Sequence, residues 1–494
     1  MIRPLTTYSL ELNEAAQLVS AKYAHSADVH ITGIAMSDRD IQPGDLFVAA
    51  PGAKVHGAQF IASAIKNGAV AVVTDEEGAL LSGNIPTVIA HDVRAAAATI
   101  AASLYKSPTR DLASIGVTGT NGKTTVTMLL HQIFTSAHRE SGLIGTVETR
   151  IGSEVLASSR TTPEAPELQS LAAVMRERHM RHLVMEVSSH AIALQRIKGS
   201  HFAMVGFTNL TQDHLDFHGD IENYYQTKAK LFTHEYAERG FINIDSEHGQ
   251  RLARECSIPI STISRESTSA EWHFSNKHKI SQVYEISIRG TGGILIESTT
   301  SLLGAYNLDN LLMAIAIAHE SGVDPVELAT IIPTLIGAPG RLDPVSIGQN
   351  FTALVDYAHS PDAVSNVLAA AREFTPGKVI AVLGCGGDRD SSKRPLMGKA
   401  LIEGSDVAVF TSDNPRSENP TEILKEMTSS ISMSTPNTVI EDRAAAIEYA
   451  VGLAQATDTV LILGKGHETG QDIKGVVTPF DDRLQLARAI ENKK

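Results

Sequence analysis

The chain has 494 residues, 43% of them apolar and 20% charged, with a formal net charge of -14. That length corresponds to about three domains at ~150 residues each, and each can bury its own core without disulfide or metal staples. The acidic balance argues against a broad nucleic-acid face, which needs a basic surface, but it leaves room for a local basic pocket holding an anionic small molecule.

Cys256 and Cys385 are the only cysteines, as suits a reducing compartment. The first 13 residues lack the basic start, apolar core and small-residue cleavage site of a signal peptide. No apolar stretch reaches the ~20 residues that span a bilayer. These features predict a cytoplasmic monomer that acts on small molecules, without nucleic acid or membrane insertion.

Short apolar runs alternate with helical stretches along the whole chain, the rhythm of an α/β fold with mostly parallel sheets. The first region, residues 1–92, has strand-like runs at 46–49, 69–74 and 87–90 and a helical stretch at 57–67. The second, 93–339, has strands at 114–118, 182–187 and 204–209 and a helix at 124–134. Gly337-Ala338-Pro339-Gly340 breaks that pattern. The third region, 340–494, has strands at 352–356, 379–384, 407–411 and 459–464. This is the pattern of an open nucleotide-type sheet, whose ligands sit beyond the carboxyl ends of the strands.

The strongest local signal is Gly116-Val117-Thr118-Gly119-Thr120-Asn121-Gly122-Lys123-Thr124-Thr125, between a strand and a helix. Glycines let backbone N–H groups approach phosphate oxygens, and the helix start adds a favourable dipole. Lys123 offers a charge to the terminal phosphates and the Thr124 hydroxyl a ligand to Mg²⁺. Val117 stands where the usual spacing has glycine. The loop alone says nucleoside triphosphate, and a P-loop motor or signalling NTPase is one reading of it.

The loop's wording resembles that of the Mur ligase superfamily, and further motifs extend the resemblance over nearly the whole chain. It implies a uridine-binding N-terminal domain, a central ATPase domain and a Rossmann-like C-terminal domain. Gly119, Thr120, Asn121, Gly122, Lys123, Thr124 and Thr125 would hold ATP. Glu186 ends a strand in Met185-Glu186-Val187-Ser188-Ser189-His190, and His214 lies beyond the next strand in the chain. The resemblance makes them ligands of a second Mg²⁺, alongside a carbamylated Lys228 (N6-carboxylysine). It also places Tyr306 and Asn307 at the adenine, Arg341 at the phosphates, Asp356 at the ribose and His359 near the nucleotide.

Gly384-Cys385-Gly386-Gly387-Asp388-Arg389-Asp390, Asp413-Asn414-Pro415-Arg416 and Gly464-Lys465-Gly466-His467-Glu468 resemble the tripeptide-forming branch. There the Asp-Asn-Pro-Arg run accompanies use of meso-2,6-diaminopimelate. The chemistry agrees: diaminopimelate has a distal carboxylate that lysine lacks, and Arg416 can bind it with a two-pronged hydrogen bond. Arg389 would hold the same or the neighbouring carboxylate. Asp413 and Asn414 belong to the same set, while Glu468 and the Gly464 carbonyl would take the distal ammonium. Ser37, Thr161, Thr162, Ser188 and Arg196 match the UDP-muramoyl end. The implied reaction joins an amino acid to a UDP-muramoyl dipeptide at the expense of ATP, in peptidoglycan synthesis. L-lysine as the amino acid and a folylpolyglutamate-type ligase are the competing readings.

Overall fold

The computed structural model describes residues 1–24, 28–52, 54–158, 160–280 and 283–493. Three principal β-sheets follow one another along the chain, each covered by helices, giving the three-domain α/β architecture expected. Among the described residues, no helix is long and apolar enough to cross a membrane.

The first sheet has five strands in the order Lys22–Ala24, Thr87–Ile89, Ala71–Thr74, Asp45–Ala49, Gly33–Ala35. The helix Val93–Leu104 lies across three of them and on its far side meets Ala165–Glu177 of the next region. Asp92 starts this helix by accepting from Ala95 N at 2.9 Å, which satisfies a free amide of the first turn. Its alanines pack into the first core.

The central sheet has eleven strands. Six parallel ones form its middle, in the order Ser141–Ile144, His182–Glu186, Ala113–Thr118, Phe202–Phe207, Ala237–Asn243, Ile260–Ser264. Helices cover both faces, so these strands read as continuous apolar runs. Lys123–Ser136 packs against Ala305–Glu320 on one side, and Ala165–Glu177 and Ile221–Ala229 cover the other. The strand leading to the phosphate loop lies between the strand of Glu186 and the strand before His214. Those two are consecutive in the chain but not neighbours in the sheet. Glu148–Ile151 and Glu154–Ala157 extend one end as an antiparallel hairpin; at the other, Trp272–Ile280 pairs in parallel with Ile260–Ser264 and carries Val283–Arg289 and Leu295–Thr300 antiparallel to one another.

The third sheet runs Asp343–Pro344, Thr352–Asp356, Thr459–Leu463, Val379–Cys385, Val407–Ser412, Thr438–Val439. Pro361–Phe374, Arg394–Gly404 and Pro420–Thr428 cover one face, and Arg443–Leu453 and Asp482–Lys493 the other. The carboxyl ends of the central and third sheets contribute facing loops to one cleft, where ligands of such sheets bind.

Candidate active site

The turn after Ala113–Thr118 needs glycine twice. Gly119 has φ +149° and Gly122 φ +90°, and a Cβ at either would overlap the side chain of Thr208 or of Asn310. The turn is pinned from the neighbouring strand end: Asn121 N donates to Asn209 Oδ1 at 2.9 Å, and Thr208 Oγ1 donates to Asn121 O at 2.6 Å. Thr120 N donates to Asn209 O at 2.9 Å.

Lys123 Nζ donates to Gly119 O at 2.9 Å and to Thr120 O at 2.8 Å. Lys228 Nζ reaches the same Gly119 carbonyl at 2.8 Å and sits 4.6 Å from the centre of the Tyr224 ring. Burial lowers the pKa of both amines, and for Lys228 the shift is large, with the Lys123 charge adding to it. The resemblance alone selected Lys228; the fold buries it at the phosphate turn, whereas Lys230 begins a short turn of helix after it.

Glu186, also buried, closes the other side. Its Oε2 accepts from Thr124 Oγ1 at 3.0 Å and Thr146 Oγ1 at 3.1 Å, and its Oε1 from Thr146 N at 2.7 Å. Among the described residues, no three His, Cys, Asp or Glu side chains converge on a metal position. Mg²⁺ needs few protein ligands because it keeps much of its water. Two neighbouring oxygens on an octahedral Mg²⁺ lie about 3 Å apart, so Thr124 and Glu186 fit such an ion. His214 (φ +54°) stands edge-on to Tyr224 at 6.4 Å and to His190 at 4.8 Å. Desolvation pushes its pKa down to about 4, against the opposing pull of Asp213. Tyr224 thus ties the His214 side to Lys228 and, through its hydroxyl 3.2 Å from Thr120 Oγ1, to the phosphate turn.

A first cleft opens from Asn121, Thr124 and Thr125 toward Tyr306, Arg341 and Asp356. Of the expected nucleotide residues, Asn121, Gly122, Thr124, Thr125, Tyr306, Arg341 and Asp356 line it; Gly119, Thr120 and Lys123 lie in the turn behind it, and two others are placed elsewhere. Asn307 faces inward, donating to Leu303 O at 2.8 Å and accepting from Asn310 Nδ2 at 3.3 Å. His359 lines the second cleft instead, its Nδ1 2.7 Å from Tyr357 O. Both Asp356 carboxylate oxygens accept backbone amides, from Leu342 at 2.7 Å and Ala358 at 2.8 Å, and burial raises its pKa. The Tyr306 hydroxyl is buried and unpartnered. Asp309 and Asn310 also line this cleft. The sequence reading passed them over, although they follow Tyr306 on the same helix at i+3 and i+4, one shared face.

The second cleft, of about 690 Å³, lies between the central and third sheets. Thr161, Ser188, Arg196 and His214 line it from one side and Arg389, Asp413, Asn414, Arg416, Gly464 and Glu468 from the other. Thr162 is buried behind it, donating to Glu186 O at 2.9 Å and accepting from Ser188 N at 3.1 Å. Ser37 is apart from both clefts; its hydroxyl caps a turn by accepting from Arg39 N at 3.3 Å. Lys393 Nζ faces Asp213 Oδ1 at 4.0 Å across the opening.

Glu468 is not free for a ligand alone. Its Oε2 accepts from Asn414 Nδ2 at 2.7 Å and Lys465 Nζ at 3.3 Å. Arg416, at φ +51°, donates from Nη1 to Gly387 O at 2.6 Å. Buried Arg394 joins the two arginine-bearing loops by pairing with Glu418 at 2.8 Å and Glu426 at 2.8 Å, and Glu418 also accepts from Asp388 N. The third domain begins against this site. Tyr357 N donates to Gly340 O at 2.8 Å, Arg341 lies 4.7 Å above the Tyr357 ring, and a Cβ on Gly340 (φ +67°) would collide with the backbone of Gly466 and His467.

Comparison with known proteins agrees with this arrangement. Family models match in three places: "Mur ligase family, catalytic domain" at residues 30–106, "Mur ligase middle domain" at 117–318 and "Mur ligase, glutamate ligase domain" at 340–466. A UDP-N-acetylmuramoyl-L-alanyl-D-glutamate–2,6-diaminopimelate ligase of Streptomyces coelicolor is 45% identical, covering 99% of this chain and 98% of that protein. One of the same name from Geobacillus thermodenitrificans is 41% identical over 94% and 96%. A solved structure of that name is 32% identical, with a TM-score of 0.65 and coverage of 94% and 95%. A folylpolyglutamate synthase of Mycobacterium tuberculosis, 19% identical over 75% and 92% with a TM-score of 0.60, shares the fold alone. Taken with the glycine turn, the buried glutamate and the three sheets, these matches place the chain in the Mur ligase family.

Proposed function

We propose that the protein is an ATP-dependent amide-bond ligase of peptidoglycan precursor synthesis. It adds meso-2,6-diaminopimelate to the D-glutamate γ-carboxylate of UDP-N-acetylmuramoyl-L-alanyl-D-glutamate, forming ADP and phosphate. The observation that carries this reading is a pair of clefts, one opening from the phosphate turn and one between the central and third sheets, the second lined by Arg389 and Arg416 beside Glu468.

The chain's own residues bind, orient and shield the reactants. Lys123 is held on two carbonyls and can turn from them onto the terminal phosphates, while Arg341 approaches from the third domain. Two Mg²⁺ ions would neutralise phosphate charge, one suited to Thr124 and Glu186 and a second toward His214 and Lys228, where the resemblance also expects Glu186. Burial favours the neutral Lys228 amine, the form that adds CO₂ with loss of a proton. The resulting carbamate is an oxygen ligand where an ammonium would repel a cation.

The substrate γ-carboxylate attacks the γ-phosphorus of ATP, giving an acyl phosphate and ADP. The amine of the amino acid then attacks the acyl carbon, and phosphate leaves with formation of the amide. Positioning and charge neutralisation supply most of the rate, and closure of the central and third domains would keep water from the acyl phosphate. The test follows ADP release with each reactant withheld in turn. ADP should form only with ATP, UDP-muramoyl dipeptide and diaminopimelate together. ATP turnover indifferent to the dipeptide would refute the assignment, and a preference for L-lysine would correct the amino acid.

A further inference from the structure

We propose that Lys465, which does not itself line the open cleft, is a positioning residue that sets which amino acid the enzyme accepts. The inference rests on the diaminopimelate reading above. The Lys465 side chain is 0% exposed, an unusual state for a lysine. Gly464 (φ +111°) and Gly466 (φ +53°) flank it, and these two left-handed residues turn its side chain inward.

Its ammonium spends all three protons on this site. It donates to Gly470 O at 2.6 Å, Asn414 Oδ1 at 3.2 Å and Glu468 Oε2 at 3.3 Å. Asn414 Oδ1 also accepts from Asp472 N at 2.9 Å. With its oxygen so occupied, the Asn414 amide must present its nitrogen to Glu468. Lys465 therefore fixes the direction of two cleft-facing side chains, Asn414 and Glu468, the second of them expected at the distal ammonium. It also ties them to the hairpin Gly470–Ile473 with Val476–Pro479, which in turn holds the Arg416 backbone through Arg416 N to Asp472 O at 3.0 Å.

The buried charge also enters the selection. On this side of the cleft Arg389, Lys393 and Arg416 are balanced by Asp390, Asp413 and Glu468, three charges against three; Lys465 adds one positive charge behind them. Diaminopimelate is neutral overall at pH 7, with two carboxylates and two ammonium groups, whereas L-lysine carries one net positive charge. A head pocket left with one excess positive charge disfavours lysine even where Glu468 could take its amine.

The experiment measures KM and kcat for ATP, the UDP-muramoyl dipeptide, meso-diaminopimelate and L-lysine in wild type, Lys465→Met and Lys465→Gln. Lys465→Met should raise KM for diaminopimelate by on the order of tenfold and narrow its preference over L-lysine by a similar factor. KM for ATP and for the dipeptide should stay within about twofold. Lys465→Gln keeps a donor for Gly470 O and recovers part of the KM, but not the selectivity, because the charge is gone. The glutamine variant carries the test if the methionine variant does not fold. Unchanged preference in either folded variant, or a parallel rise of KM for ATP, the dipeptide and diaminopimelate, would overturn the proposal. A wild-type enzyme that does not use diaminopimelate would overturn the functional reading itself, and this inference with it.

Discussion

The phosphate turn and the amino-acid head pocket handle positive charge in opposite ways. At the turn, Lys123 and Lys228 rest on backbone carbonyls, two of their three hydrogen bonds going to Gly119 O. Beneath the head pocket, cations touch carboxylates before any ligand arrives: Arg394 with Glu418 and Glu426, Arg443 with Asp482, and Lys465 with the same Glu468 that faces the pocket. The first arrangement suits a polyanion that brings its own counter-charge. The second suits a zwitterion that must be told from its relatives, because prearranged partners penalise a misfit.

The contrast can be broken most strongly at its first half. Lys123→Ala should lower kcat/KM for ATP by about 10³-fold or more, read by coupled ADP release. Its thermal midpoint without nucleotide should hold or rise, because a buried cation without a carboxylate partner is removed; a large fall would show that Lys123 is a structural post. Arg443→Met should do the reverse. Its pair with Asp482 is 0% exposed on both sides at 2.6 Å, and breaking a buried pair costs about 3–5 kcal/mol. Urea unfolding should register that loss while ATP binding to the central domain persists.

Arg416→Ala sharpens the comparison within the head pocket. Its loss should narrow the preference for diaminopimelate over L-lysine by about 10²-fold, with KM for ATP unchanged in the same assay. An equal fall in activity with both amino acids would assign Arg416 to loop structure alone.

The smallest effect concerns the core under the phosphate helix. His182 stacks on Phe134 at 4.0 Å, and burial lowers its pKa from 6.5 to about 4. Between those values the unfolded chain binds more protons than the folded one. Stability is therefore present above pH 6.5, falls as pH drops, and this contribution is gone near pH 4. The slope approaches about 1.4 kcal/mol per pH unit for one such group. His182→Phe should flatten the pH dependence of urea unfolding by that amount; an unchanged slope would mean that His182 titrates normally.

Much of this was legible in the chain. The buried parallel strands show as short apolar runs because helices cover both their faces, and 352–356 and 407–411 lie within the strands observed. The glycine turn and the strand-end Glu186 are local patterns. The order of strands around the turn is not local: nothing in residues 182–207 states that 113–118 lies between them. The outer strand Val283–Arg289 alternates exposed and buried residues, and the outer hairpins are quieter in the sequence than the parallel strands. Lys465 reads as a surface lysine until the inward turn made by its two glycines is seen. Asn307 illustrates the converse, a motif residue whose amide serves the helix, so that Asn310 faces the cleft in its place.

The seat of Gly340 on Gly466 and His467 has a mechanical corollary. Arg341 follows the one and Glu468 the other, with no space between the two backbones for even a methyl group. The arm that meets the phosphates and the loop that judges the incoming amine are thus borne by a single stiff joint. Tightening around a triphosphate must be felt at the amino-acid loop in the same motion.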